Sequence, residues 1–153
     1  MNRKSFITIF FIFFFTTSCG YTPIYTNKNL QNIQINIITM TGDSEINNLI
    51  NSKLKKYINP ETSKSFDIEI STKYEKEIIA KDTTGSVSDF SLKSDVTITI
   101  LNKDISNQIV TINEKFNMKN IDDELKQREY EKSIKEMFAN QIVQKLILKL
   151  STN

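Results

Sequence analysis

Residues 66–116 read FDIEISTKYEKEIIAKDTTGSVSDFSLKSDVTITILNKDISNQIVTINEKF, and this stretch decides the fold. Phe66, Ile68 and Ile70 alternate with Asp67, Glu69 and Ser71, the period-two pattern of a strand with one buried face. The strand can run on through Tyr74 to Ile79. Asp82-Thr83-Thr84-Gly85 is a turn signal, because aspartate bonds its own backbone and glycine accepts a left-handed conformation. Beyond it Phe90, Leu92, Val96, Ile98 and Ile100 point one way, and Ser91, Lys93, Asp95, Thr97 and Thr99 the other. Asn102-Lys103-Asp104 opens a second turn, and Val110, Ile112 and Phe116 mark the last strand. Long strands joined by short turns predict an antiparallel meander.

Two helical segments flank this meander. On the N-terminal side, Ile33, Ile35 and Ile37 alternate with Gln34 and Asn36 as a first strand, which Thr41-Gly42-Asp43-Ser44 breaks and caps. Ile46, Leu49, Ile50, Leu54, Tyr57 and Ile58 then form one apolar helical stripe, ended by Asn59-Pro60. On the C-terminal side a helix is predicted from about Ile121 to Leu150. Tyr130, Ile134, Phe138, Ile142, Leu146 and Leu150 make its stripe, widened by Met137 and Val143. Asp122, Asp123 and Glu124 at its start and Lys145 and Lys149 near its end suit the helix dipole. Glu124 with Arg128, and Glu131 with Lys135, stand in the favourable i,i+4 order. A membrane-surface helix would carry a basic polar face, whereas this one is charge-mixed. The order β-α-β-β-β-α predicts an α+β fold, a two-layer sandwich with a four-stranded, mainly antiparallel sheet and both helices on one face. The other face is richer in Thr, Ser, Lys and Asp, and either stays wet or is enclosed by a partner.

The first 18 residues have the layout of a secretory signal peptide: Asn2-Arg3-Lys4, an apolar run from Phe6 to Phe15, then Thr16-Thr17-Ser18. That run would reach only about 15 Å as a helix, half of a roughly 30 Å hydrocarbon core. Cys19 follows at the expected cut, as in a bacterial lipobox, where the thiol is acylated and becomes the mature N-terminus. It is the only cysteine in the chain, so no disulfide competes for it. Removing 18 of the 153 residues leaves about 135, enough for one domain with its own core. Residues 19–30, CGYTPIYTNKNL, read as an extended polar tether, and residues 31–153 as the domain.

Charge and missing residue types narrow the function. Arg3 and Lys4 leave with the leader, so the 20 basic and 18 acidic side chains become 18 of each. A neutral body without a basic block is not expected to bind nucleic acid. The chain has no histidine, so the usual proton shuttle, the commonest metal ligand and a Ser-His-Asp device are all missing. Its three glycines form no phosphate-cradling loop. Asp122-Asp123 and the pair Asp67 and Glu69 could serve acid–base work, but the first begins a helix and the second lies on a solvent face. The expectation is a non-enzyme without metal or cofactor.

The post-lipobox CGYTPIY, the Ile-rich strand, the helix EINNLINSKLKKYI, the segment AKDTTGSVSDFSLKSDVTITILN, the hairpin to TINEKFNMKN and the closing REYEKSIKEMFANQIVQKLILKL together resemble LptE, the lipopolysaccharide-assembly outer-membrane lipoprotein family. The resemblance spans nearly the whole mature chain and rests on order and spacing. It implies an α/β domain tethered by acyl chains to the inner leaflet of the outer membrane. There it would plug the LptD barrel, help it assemble and assist delivery of lipopolysaccharide. Gly20 after the cysteine fits outer-membrane sorting, since aspartate there is the usual retention signal. Lipopolysaccharide would need cations for its phosphates, and Lys81 and Lys126 are the candidates. Both also fit solvated surface lysines. A periplasmic lipoprotein acting as pilot or scaffold for another envelope complex is the rival reading, and a carboxylate hydrolase, which would need two facing acids in a pocket, a third.

Overall fold

The computed structural model describes residues 33–57, 64–102 and 106–152. The leader 1–18, Cys19, the tether 19–30, the Asn59-Pro60 stop and most of the Asn102-Lys103-Asp104 turn lie outside the described residues. Within them run β1 (Gln34–Gly42), α1 (Ser44–Leu54), β2 (Ser65–Lys81), β3 (Val87–Leu101), β4 (Gln108–Lys119) and α2 (Glu124–Ser151). The sheet order is β1-β2-β3-β4, so the α+β sandwich in β-α-β-β-β-α order is present. β2, β3 and β4 form the antiparallel meander, while β1 pairs with β2 in parallel because α1 carries the chain back before β2 begins.

Residues opposite one another in register share a face. Ile68 stands opposite Ile100, Ile70 opposite Ile98, Val96 opposite Ile112 and Phe90 opposite Met118. These apolar rows meet Ile46, Ile50 and Leu54 of α1 and Ile134, Phe138, Ile142, Leu146 and Leu150 of α2 in one core. Each such fully buried side chain contributes about 1.5–3 kcal/mol before entropy is counted. β1 joins the core through a bulge. Ile37 lies opposite Ile68, the pairing then slips by one residue, and Met40 lands opposite Ile70 on the same face. Ile38, the extra residue, is left 55% exposed. Without the slip, Met40 would point away from the core.

Helix ends differ slightly from the sequence expectation. α1 stops at Leu54 and tightens into a 3-10 turn over Lys55–Tyr57. α2 starts at Glu124, with Asp123 as its cap accepting from the N–H groups of Leu125 and Lys126, so Ile121 and Asp122 precede the helix. Glu131 and Lys135 do meet, at 3.5 Å. The pair is part of something larger. Tyr74 on β2 donates its hydroxyl to Glu131 at 2.8 Å, Lys76 reaches the same carboxylate at 2.7 Å, and Lys135 crosses to Glu45 of α1 at 2.6 Å. The Lys135 ammonium also lies 4.3 Å from the centre of the Tyr74 ring. Sheet and both helices are thus bolted together at one place. Burial pushes the Glu131 carboxyl up, but hydrogen bonds from Lys76 and Tyr74 and the charges of Lys76 and Lys135 outweigh it, holding its pKa below the ordinary value. Burial likewise disfavours the charged Lys135, yet its hydrogen bond to Glu45 and the charges of Glu45 and Glu131 hold its pKa above the ordinary value.

Two measurements test these features. Gly42 has φ +94, and a Cβ built on it would lie 1.8 Å from the Thr72 carbonyl oxygen. Gly42→Ala is expected to destabilise the fold by more than about 2 kcal/mol in urea unfolding. Gly85→Ala, where φ is +88 but no atom lies within 4 Å, should cost only about 1 kcal/mol. Because Glu131 is depressed, its contribution is present above the ordinary carboxyl value of 4.5 and is lost as pH falls through the lowered one. Glu131→Gln should therefore be less stable by about 1–3 kcal/mol at pH 7, a gap that narrows as pH drops below about 4.5. A gap unchanged between pH 7 and pH 3 would show that the carboxylate charge does not hold the layers.

Candidate functional site

Three surfaces are placed by this framework: the open face of the sheet, the end that carries Lys81 and Lys126, and the outer edge of the sheet. On the open face, Thr39 and Thr41 of β1 neighbour Glu69 and Ser71 of β2, which face Thr99 and Thr97 of β3, and these face Ile109 and Thr111 of β4. Six of these eight side chains are small hydroxyls, the others being Glu69 and the exposed Ile109. They leave a shallow depression of about 170 Å³ lined by Thr39, Thr41, Glu69, Ser71, Thr97 and Thr99, with Ile70 beneath. The sequence alternation placed Asp67 and Glu69 on this side. Asp67 accepts from the Asn36 amide at 2.9 Å, and no second carboxylate lines the depression beside Glu69.

Further along, the open face is charged, with two ion pairs and one carboxylate held by a neutral amide. Lys73 meets Glu75 at 2.6 Å, Lys93 meets Glu77 at 2.7 Å, and the Asn113 amide donates to Asp95 at 2.5 Å. The surface is therefore polar, nearly flat and without a strong field. Such a surface fits a polar, hydrogen-bonding environment better than lipid.

Lys81 and Lys126 stand far apart in sequence, and the fold brings them to the same end. Lys81 closes β2 opposite Val87. The Asn120 N–H donates to the Ser88 carbonyl at 2.8 Å, which ties the start of the α2 segment to this hairpin. Lys126, three residues past its cap Asp123, stays exposed, with its ammonium 3.7 Å from the Asp123 carboxylate. Acids interleave with these lysines. Asp82 accepts from the Thr84 hydroxyl at 2.6 Å and from the Thr84 and Ser86 N–H groups, and these bonds hold its carboxyl below the ordinary range. Asp89 lies opposite Lys119. An anion could be met here by Lys81 and Lys126, but by two separate lysines rather than a buried cation cluster.

Two features of β2 are not visible in the sequence alone. Ile78 and Ile79, read there only as the continuation of a strand, are 55% and 48% exposed. Tyr74 and Lys76 belong to the bolt around Glu131, whose i,i+4 partner Lys135 was visible in the sequence while the cross-strand partners were not. Among the described residues no helix is long and apolar enough to cross a membrane.

No family model matches the sequence, and no curated protein does. The fold does match solved structures. Rare lipoprotein B from Shewanella oneidensis superposes with a TM-score of 0.53 at 16% identity, covering 74% of this chain and 96% of that one. A candidate lipoprotein from Caulobacter crescentus gives a TM-score of 0.58 at 13% identity, covering 81% and 90%. Uncharacterized lipoprotein B from Nitrosomonas europaea gives 0.51 at 16% identity, covering 80% and 86%. The domain thus has the fold of these lipoproteins.

Proposed function

We propose that this protein is an outer-membrane lipoprotein, acylated at Cys19, that serves without catalysis as plug and assembly partner of an LptD-like barrel in lipopolysaccharide transport. The observation that carries the reading is the pairing of a lipobox-like cysteine with a body of the rare lipoprotein B fold, which is the LptE fold. The open sheet face supports it. A barrel lumen is polar, and a plug needs a surface of small hydrogen-bonding groups rather than an apolar one. The rows Thr39–Glu69–Thr99 and Thr41–Ser71–Thr97 supply this, on a sheet held stiff by two helices. Three acyl chains, as mature bacterial lipoproteins carry, would make the attachment effectively permanent, where one chain binds only marginally. The body is anchored facing the periplasm and the lumen, and needs neither cofactor nor nucleic acid. Lipopolysaccharide would be met, through its phosphates, at the end bearing Lys81 and Lys126.

Two experiments test this. An affinity-tagged chain, expressed in its own cell and extracted in mild detergent, should co-purify with the barrel in near-equal amount. Recovery without a barrel would overturn the reading and leave that of a pilot or scaffold for another envelope complex. Lys81→Glu with Lys126→Glu should weaken lipopolysaccharide binding by about tenfold or more, each site contributing about 1 kcal/mol through an exposed charge. Unchanged binding would remove these two lysines from the role.

A further inference from the structure

β1 stops short of its neighbour. Its pairing with β2 ends at Gly42 opposite Thr72, whereas β2 continues to Lys81 and stays paired with β3 as far as Val87. From Lys73 to Lys81 the strand therefore has a ladder on one side only among the described residues, a free edge of about 30 Å at the usual rise. In an antiparallel ladder alternate residues turn both their N–H and C=O groups outward, so about half of these residues present unpaired backbone groups along the line that β1 has vacated.

The side chains along the edge do not guard it in the usual way. Projecting lysines commonly blunt an exposed strand edge. Here Lys73 is drawn to Glu75 at 2.6 Å, Lys76 to Glu131 at 2.7 Å, and Glu77 to Lys93 at 2.7 Å, so the charges are spent on neighbours within the fold. At the far end, the irregular register around Ile78 and Ala80 sets two half-exposed isoleucines in succession on the edge strand. β4, the opposite edge, has a single exposed isoleucine, Ile109, and it lies at the other end of the sheet.

We propose that the edge of β2 from Lys73 to Lys81 receives an extended segment of the barrel partner as a fifth strand in continuation of β1. This deepens the function proposed above and rests on it for the partner's identity. The recognition chemistry is main-chain pairing, with side-chain specificity from alternate positions. Because Lys73, Glu75, Lys76 and Glu77 are already neutralised, the segment that fits from Lys73 to Ile79 is uncharged and rich in β-branched or aromatic residues, covering Ile78 and Ile79 at its end.

The test compares the purified full chain with its complex with the barrel, by hydrogen exchange resolved to single amides. Free, the outward amides between Lys73 and Lys81 should exchange quickly, and in the complex they should be protected by about a hundredfold or more. The paired variant Ile78→Lys with Ile79→Lys, at two exposed positions, should keep the fold's melting temperature and weaken barrel binding by about tenfold or more. A complex that forms without protecting this edge overturns the inference and leaves the plug reading intact. Failure of any complex to form overturns both. Protection already present in the free chain, whether from self-pairing or from a second copy, overturns the inference alone.

Discussion

The approach of Gly42 to the Thr72 carbonyl is the constraint from which the layout follows. The chain leaves β1 with φ +94 at Gly42, in space where a Cβ would overlap the Thr72 oxygen. The next N–H, from Asp43, donates to that oxygen at 3.2 Å, and the Asp43 side chain caps α1 by accepting from Ile46 at 2.8 Å. The buried Thr72 hydroxyl sits 2.9 Å from Asn47 and within reach of the Thr41 and Asp43 carbonyls, so the corner satisfies its own polar groups. One contact thereby ends β1, starts α1 and fixes the point on β2 beyond which no strand of the described chain follows.

A corner of this kind sets where α1 begins, and the bolt around Glu131 holds it to the second layer. Glu45 lies in the first turn of α1, and Lys135 of α2 reaches it while also meeting Glu131. Placing two carboxylates and two ammonium groups in a partly dry site would be costly for any one of them alone. Here each charge has a partner, and the Tyr74 hydroxyl satisfies what remains. The apolar core sets how much the layers attract. The polar bolt sets their register, because a sliding helix would break several directional bonds at once.

The meander and the stripes of both helices were legible because their periods are strict. Ile68 and Ile70, or Ile134 and Phe138, can be buried only one way once the period is known. Three features were less so, each for a physical reason. The parallel pairing of β1 depends on α1 running back along the sheet, which alternation in β1 alone cannot report. The slip at Ile38 is a property of two strands together, and the pattern Ile33, Ile35, Ile37 ends just before it. The partners Tyr74 and Glu131 stand 57 residues apart, beyond any local rule. On the candidate site, the hydroxyl-rich open face followed from alternation, and Lys81 and Lys126 prove to share an end. Asp82 and Asp123 stand beside them already in the sequence, while the turn bonds that Asp82 accepts appear only once the hairpin is assembled.

Parallel pairing of β1 with β2 also gives the molecule a direction. The chain enters the sheet at Gln34, level with Ser65, and the β2–β3 turn lies a full strand length away, about 55 Å for the 17 residues of β2. The free edge of β2, Ile78, Ile79, Lys81 and Lys126 lie at or toward that far end. Had β1 been antiparallel over the same residues, the chain would enter the sheet level with Thr72, beside the open edge. The parallel arrangement separates the two. The entry end holds β1 against β2, while the hairpin end leaves the backbone edge of β2 open among the described residues. That division gives a mechanical sense to a small sheet in which one strand runs so far beyond its neighbour.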